Sequence, residues 1–494
     1  MAESNIPVLI VGAGPTGLTA AMELSRMGVD VRIVDRAAQP APESRALAVQ
    51  ARTLELLGAR GVGDTMLALG NRAHTAALYA RGRKLAPIEL HRMPSDVNFI
   101  LMLAQSETER LLAEQLAEQG VKVERGIEVT SIAVDDPARV QVTLRTGEGT
   151  EETVTAAYVI AADGPHSTLR KSLGMDFPGR TLPLNYVLAD LYIEADLPHD
   201  QVSIFLGSPG FVAVFPMGGG RFRLMATDPQ HWTPERREPA IEDVQRLYDA
   251  TVHIPARLHT MNWSSRFRIN SRHMRTLRAG RVFFGGDAAH VHSPAGGQGM
   301  NLGIQDMVNL SWKLAMVLDG RAKPELLDTF SSERLPAIRT VVRFTEIGTR
   351  IFNSTNPIVH ALRIRVAPRM LARDRVQDRA ASMFGQLVAD YRADALAENA
   401  GGIDGLRPGD RVPDIDPGTL DLNALTLFVG DGADDVADLA HGWAGVVAIR
   451  AGVSAAPGTW RLVRPDGYLA AAGRAGDGPV LAGWLHRWFV RSRA

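Results

Sequence analysis

The chain of 494 residues is 45% hydrophobic and 22% charged, enough apolar material for several cores and, at roughly 150 residues per domain, for about three units. Its 54 basic and 55 acidic residues leave a formal net charge of -1, so no overall basic field points to nucleic acid or to an anionic membrane. Cysteine is absent, which excludes disulfides, thiolate nucleophiles, Cys-ligated zinc, iron–sulfur clusters and CxxC redox chemistry.

No basic n-region precedes Val8–Val11, and Gly12, Gly14 and Pro15 break that apolar run, so no secretory signal is expected. No stretch approaches ~18 consecutive apolar residues, and a cytoplasmic chain without membrane contact is expected. Ile6–Val11 reads as a buried parallel strand, Gly12 to Gly17 as a turn, Leu18–Met27 as a helix and Val29–Val34 as a second strand ending at Asp35. That is one βαβ unit with a right-handed crossover. A helix is expected over Glu107–Gln119, with Leu111, Leu112 and Leu116 on one face and Gly120 as its stop. Strand-like segments at Val121–Arg125, Val140–Arg145 and Ala156–Ala161 lead into Asp163-Gly164.

From 181 to 275 the pattern changes to short alternating strands, Tyr186–Ile193, Gln201–Phe205, Phe211–Phe215 and Arg221–Ala226, with Gly/Pro turns between them. This predicts a mostly antiparallel sheet. Val282–Phe284 resumes a buried strand before the glycine-rich segment 285–303 and a helix near Ile304–Leu318. Arginine-rich helical sequence runs to about residue 398, and Ala400–Gly418 reads as a linker. Leu425–Val429, Gly445–Ile449, Trp460–Val463 and Val480–Phe489 then suggest a small α/β tail.

Three constellations carry chemistry. Gly12-x-Gly14-x-x-Gly17 sits between a strand and a helix, with Asp35 closing the next strand. Those glycines allow a tight turn and close approach of a pyrophosphate to the helix N-terminus, and the acid suits ribose hydroxyls. This alone does not separate FAD from NAD. Asp163-Gly164-Pro-His-Ser167-x-x-Arg170 and Gly285-Gly286-Asp287-Ala-Ala-His290 each follow a buried strand.

Together the three segments resemble the fingerprints of flavin-dependent aromatic hydroxylases, the single-component class A monooxygenases. The likeness extends to Glu43-Ser-Arg45-Ala-Leu, to Gln105-x-Glu107-x-Glu109-Arg-Leu-Leu and to Pro294 through Asn301. At the C-terminus, Leu406 to Asp414 and Leu462 to Gly467 look like the thioredoxin-like tail of the phenol-hydroxylase and polyketide-hydroxylase branch. The resemblance implies an α/β fold. A Rossmann-like FAD-binding domain would span 1–180, with a small substrate-side insertion near 76–100, and return at 276–400 with a helical region. An antiparallel-sheet substrate domain would be inserted at 181–275, and a cysteine-free thioredoxin-like domain would occupy 401–494.

It also implies roles by position. Gly12, Gly14, Thr16 and Gly17 would hold the FAD pyrophosphate, with Asp35 and Arg36 at the adenosine end and the Val129 backbone on adenine. Arg45 and Gln105 would contact the ribityl-diphosphate portion, and Asp287 the ribityl hydroxyls. Pro294, Gly297, Gly299, Met300 and Asn301 would pass over the isoalloxazine, with backbone N–H groups toward its pyrimidine edge. Asp163 serves FAD and nicotinamide binding in the family; on its residues alone it could equally hold Arg170 in an ion pair.

The implied activity is NAD(P)H-consuming hydroxylation of a phenolic or polycyclic aromatic compound by O₂ through a flavin C4a-hydroperoxide, by a homodimer. Alternatives are a Baeyer–Villiger or oxygenative rearrangement of a polyketide, or a flavin-binding protein without turnover. No second GxGxxG unit exists for a separate NAD(P)H domain, and the tryptophan motif of flavin halogenases is missing. His290, His292 and Asp287 have facial-triad composition, but they lie where flavin would, so no metal is expected and His290 reads as a packing residue. Arg363–Arg379, interleaved with Asp374 and Asp378, reads as a solvated helix face rather than a nucleic-acid patch. Trp484 and Trp488 read as core. No substrate base can be selected among Tyr186, His199, Arg221 and Arg223; alternation puts the two arginines on one face, read as the outer one.

Overall fold

The computed structural model describes residues 5–41, 46–207, 210–229, 237–451 and 455–491. The N-terminal apolar run becomes the strand Asn5–Val11 at the centre of an eight-stranded sheet. It lies parallel to Val31–Asp35 on one side and to the upper part of Glu151–Ala161 on the other, with Val8 opposite Val31 and Tyr158. Helices cover both faces of such a sheet, which is why Val8, Leu9 and Ile10 are all buried in unbroken succession. Val282–Phe284 joins parallel to Glu151–Ala161, so a segment more than a hundred residues downstream returns to the same sheet. Glu151–Ala161 also pairs antiparallel with Val140–Thr146, which in turn pairs with Ile127–Ala133. That last strand, in which Val129 alone is buried, was not foreseen.

The second sheet also has eight strands, in the order His290–Val291, Arg257–His273, Gly179–Glu194, Arg221–Asp228, Phe211–Gly218, Gln201–Leu206, Thr75–Ala80 and Arg83–Glu89. It is antiparallel throughout except where Thr75–Ala80 runs parallel to Gln201–Leu206. One face packs on the helix Ile241–Thr251 through Val187, Leu191, Phe205, Phe222 and Leu224. The alternate residues Tyr186, Leu188, Phe211, Ala213 and Met225 form the opposite face, with Phe215, Phe267 and Phe352 at its margin. Arg257–His273 is the longest strand and was missed, because Arg257, Arg266, Arg268 and Arg272 dilute its apolar pattern.

The Gly299–Leu318 helix begins earlier than Ile304, drawing Met300 and Asn301 into its first turn. Thr329–Phe352, Pro357–Arg365, Ala367–Leu371 and Asp374–Phe384 follow. Ala400–Gly418 has little regular structure but is no free linker: Ile403, Val412 and Ile415 are buried, and Arg411 pairs with Glu55. Beyond it stands a four-stranded sheet, Val447–Ala451, Leu425–Val429, Thr459–Val463 and Leu469–Arg474, with the helices Asp434–His441 and Gly478–Trp488. Trp484 and Trp488 are buried in the core.

This C-terminal unit is bolted to the first sheet's helices by a buried charge cluster. Arg464 donates to Glu333 and to Asp466, and Lys313 to Glu333 at 2.7 Å. Burial alone would raise the Glu333 pKa, but Arg464 and Lys313 outweigh it and hold the carboxyl down at about 2.

Candidate cofactor and substrate site

The glycine turn is built by three different constraints. Gly12 has φ +103°, and a Cβ there would lie 2.2 Å from the Ala162 carbonyl oxygen. A Cβ on Gly17 would lie 1.8 Å from the Gly12 oxygen, so both glycines serve strand–helix contact. A Cβ on Gly14 would meet nothing. Gly14 therefore borders open space at the start of Pro15–Arg26, a helix whose first amides have no side-chain cap. Uncapped amides with a positive dipole end suit a pyrophosphate. Thr16 faces the other way: Cβ atoms on Gly286 and Gly303 would come within 2.3 and 2.2 Å of its Oγ1, so it is a close-packing point between helices.

Asp35 braces the turn, accepting from Ala13 N–H at 2.6 Å and from Ala37 N–H at 2.8 Å. Arg36 beside it is exposed, and Val129 is buried opposite Leu144. Gln105 accepts from Ala46 N–H at 3.3 Å and donates to Glu109 at 2.7 Å. Glu43 and Arg45 lie outside the described residues.

Asp163 caps the short helix Thr168–Ser172, accepting from the Thr168 and Leu169 amides at 2.8 and 3.2 Å. The suggested ion pair with Arg170 is not formed. Arg170 instead donates to the Ala288 and Pro165 carbonyls and lies over the Phe177 ring at 3.9 Å. The second Asp163 oxygen is buried without a hydrogen-bond partner.

The third segment is held by a residue the sequence did not single out. Asp306 is fully buried and accepts from His290 Nε2 at 2.7 Å, Arg334 Nε at 2.8 Å and Gly286 N–H at 3.2 Å. Burial pushes its pKa up, but Arg334 and His290 outweigh that and the carboxyl titrates below its ordinary value. Between the two anchor points Asp287 is exposed, standing proud of the turn. His290 thus spends its Nε2 on Asp306. Among the described residues no three His, Asp or Glu gather as a metal site.

The loop from Pro294 is stapled to the strand Ala48–Val49. Asn301 donates to the Ala48 and Gly297 carbonyls at 2.8 Å and accepts from Gln50 N–H at 2.8 Å, while Gln50 Nε2 donates to the Gly296 carbonyl at 2.7 Å. Gly297 needs its missing side chain, since φ is +64° and a Cβ would lie 2.5 Å from that of Ala48. Asn301 is fully buried and acts by shaping the loop. Pro294, Gly299 and Met300 are half-buried along it, and the following helix also lacks a side-chain cap. His292 Nδ1 pairs with the Ser293 carbonyl at 2.8 Å, and its Nε2 has no hydrogen-bond partner. Desolvation brings the His292 pKa down to about 4.

A ladder on the Thr329–Phe352 helix ties this loop to the second sheet. Thr349 bonds Ser293 Oγ at 2.6 Å; four residues on, Asn353 donates to the Tyr186 hydroxyl at 2.9 Å and accepts from Thr227 at 2.8 Å. Burial pushes the Tyr186 pKa well up, so its hydroxyl stays protonated. Arg223 is not on an outer face. It is 3% exposed, grips Asp190 through two bonds of 2.6 and 2.7 Å, and donates to the Ala46 carbonyl at 3.1 Å. With exposed Arg221 it lines a cavity of about 260 Å³, alongside Ala104, Ser106, Asp190 and Trp263. His199 is exposed and leans on Phe222, a residue of the helix-covered face.

An uncapped helix start behind an open glycine, with a carboxylate closing the next strand, is the arrangement of a dinucleotide-binding protein. The chain belongs to the FAD-binding family whose description is "FAD binding domain", which matches residues 5–345. It is 36% identical to 6-methylpretetramide 4-monooxygenase of Streptomyces rimosus, over 94% of this chain and 90% of that one. It is 34% identical to the 12-dehydrotetracycline 5-monooxygenase/anhydrotetracycline 6-monooxygenase of Streptomyces rimosus subsp. rimosus, over 98% of each. The solved structure of anhydrotetracycline hydroxylase from Streptomyces rimosus superposes with a TM-score of 0.82 at 31% identity, covering 99% of this chain and 100% of that one. The protein is thus an FAD-dependent aromatic monooxygenase with NAD(P)H as its reductant.

Proposed function

We propose that the enzyme hydroxylates a polycyclic phenolic compound held between the aromatic face of the second sheet and the loop Pro294–Asn301. The observation that carries this reading is the ladder Ser293–Thr349–Asn353–Tyr186, which ties the start of the stapled loop to the sheet face that carries Tyr186 and Phe211, with Phe215 and Phe267 at its margin. FAD, when bound, supplies the two-electron chemistry that takes reducing equivalents from NAD(P)H and activates O₂.

The chain's own residues bind, orient and exclude water. The amides behind Gly14 receive the pyrophosphate, Asp35 and Arg36 address the adenosine, and the Val129 backbone meets adenine. Gln105 and Arg45 hold the ribityl-diphosphate portion. Asp287 accepts from ribityl hydroxyls. Gly299 and Met300, at the uncapped start of the helix, present backbone N–H donors to the electron-rich edge of the flavin, where a negative charge needs them, while Pro294 and Gly297 shape the loop that passes over it, the Gly297 N–H donating to the Pro294 carbonyl. Asp163, whose second oxygen is buried without a hydrogen-bond partner, contributes to FAD and nicotinamide binding. The apolar sheet face lets a planar aromatic stack and keeps water from the reacting centre.

The same reading includes the FAD-binding domain over 1–180 and 276–400, the substrate domain over 181–275, and a thioredoxin-like C-terminal domain over 401–494 that docks without thiols. A homodimer and a cytoplasmic location belong to it as well. The deciding assay measures NADPH and NADH consumption by the purified yellow protein against phenols and anthraquinones, counting hydrogen peroxide in the same vessel. Stimulated consumption with little peroxide and a product one oxygen heavier supports hydroxylation. Stimulation with stoichiometric peroxide, for every compound, rejects this substrate class.

A further inference from the structure

The arginine-rich stretch 363–379 is solvated at Arg365, Arg369, Arg373, Arg375 and Arg379, but Arg363 departs from that pattern. Arg363 is buried, donating to the Ile351, Phe352 and Gly207 carbonyls, and so points inward. An apolar row faces outward beside the exposed arginines. Nine large hydrophobic side chains are exposed among the described residues, and six of them fall between residues 347 and 370. Ile347 and Ile351 lie one turn apart on Thr329–Phe352. Ile358, Leu362, Val366 and Met370, 69%, 50%, 42% and 48% exposed, follow at every fourth residue.

The helices Pro357–Arg365 and Ala367–Leu371 run on through Val366, which donates to the Leu362 carbonyl while its own carbonyl accepts from Met370 N–H. Four-residue spacing therefore makes one continuous apolar stripe. Exposed Arg365, Arg369 and Arg373 form a second row at the same spacing beside it. From 347 to 373 the chain holds five arginines and no Asp or Glu. The acids begin at Asp374, and Asp374 and Asp378 are already held by Arg92.

We propose that this stripe is a membrane-docking surface that seats the enzyme on bilayers containing anionic phospholipid. An apolar row with flanking arginines has the design of a helix lying in the interface, its side chains entering the acyl boundary while guanidinium groups reach back to phosphates. No helix among the described residues is long and apolar enough to cross a membrane, so the contact is peripheral. A second copy of the chain is the poorer occupant. Two-fold pairing would bring one arginine row against the other with no acid from this segment between them. The stripe also sits beside the aromatic sheet, since Phe352 meets Phe211 at 5.8 Å and Arg363 grips Gly207. On the proposed function, a lipophilic polycyclic substrate would dissolve in the same bilayer.

The test is flotation of the flavin-loaded enzyme with vesicles of phosphatidylglycerol and phosphatidylcholine, against phosphatidylcholine alone, at low and high salt. The holoenzyme floats with the anionic vesicles only, and release at high salt marks the arginine contribution. Leu362→Asp with Met370→Asp, and separately Arg365→Glu with Arg369→Glu, each weaken binding about tenfold or more. Flavin absorbance and NAD(P)H oxidation without vesicles stay as in the parent, which shows that both variants fold. Failure to float, equal flotation with neutral vesicles, or variants that float like the parent overturns the proposal. So does light scattering that shows the first variant splitting a dimer while vesicles bind neither protein. Loss of hydroxylase activity in the parent would reject the substrate reading while leaving vesicle binding intact.

Discussion

Replacing Asp306 by Asn tests how the turn carrying Asp287 is positioned. The wild-type carboxylate meets three donors: His290 Nε2 and Gly286 N–H on one oxygen, Arg334 Nε on the other. An amide offers one acceptor and one donor group, so whichever way it turns it faces at least one N–H with N–H. Arg334 is itself buried and keeps only the Tyr391 hydroxyl and the Leu302 carbonyl. Removing one partner of a buried ion pair costs about 3–5 kcal/mol, and an orphaned Gly286 amide adds about 1–3 if the turn does not relax.

At about 2–4 °C per kcal/mol for a domain of roughly 150–250 residues, and less for a longer chain, the melting temperature should fall by about 5–10 °C. The turn is pinned at Gly286 and His290, so freeing it requires FAD to order at least Asp287 and Ala288. At about 1–2 kcal/mol per residue that is a rise in FAD dissociation constant of tenfold or more. Titration of apoprotein with FAD, followed by flavin fluorescence, reads the second quantity; thermal unfolding reads the first. The effect should be full at neutral pH. A carboxyl with lowered folded pKa stabilises above its unfolded value near ~3.9 and loses that contribution only as pH falls through the folded value. A variant whose FAD affinity stays within about twofold, with melting unchanged, would refute the reasoning.

Gly14→Ala should leave thermal stability of the apoprotein nearly intact and weaken FAD, since its Cβ meets only open space; Gly12→Ala should damage both, with φ +103° and a backbone oxygen 2.2 Å away. His292→Asn should flatten the pH dependence of urea unfolding between about pH 4 and 6.5. There the unfolded imidazole takes up a proton that the folded one refuses, so the parent gains stability with rising pH, by about 3 kcal/mol at most. Arg464→Met should cost about 3–5 kcal/mol by leaving Glu333 with Lys313 and Asn309, and Asp466 with only the neutral donors Asn309 and Trp312, and limited proteolysis should then release the C-terminal unit first.

The parts legible in the sequence were those where the backbone itself does the work. Gly12 and Gly17 are required because a Cβ there would lie 2.2 and 1.8 Å from a backbone oxygen, and no other residue type fits them, so the motif survives as letters. The continuous apolar run to Val11 reports a parallel sheet covered on both faces. By contrast, Asp306, Arg334 and Gln50 act across 16 to 246 residues of chain, from His290 to the Gly296 loop, and nothing in local spacing couples them. Asp306 sits in the middle of an apolar helix, and that was its one visible signal: an acid there needs buried partners.

The arginines show why charge alone misleads. Arg223 and Arg363 read as surface residues in sequence, yet both are buried, because a guanidinium with enough acceptors in a plane can be taken from water. Arg223 has the Asp190 carboxylate and the Ala46 carbonyl; Arg363 has three carbonyl oxygens. Once Arg363 turns inward, its helix must present something else to solvent, and what it presents is Ile358, Leu362, Val366 and Met370. The same inward turn that anchors the helical cover to Gly207 thereby creates the apolar stripe. A mutation such as Arg363→Leu should accordingly loosen the cover and change vesicle binding together, whereas mutations confined to the outer row should change binding alone.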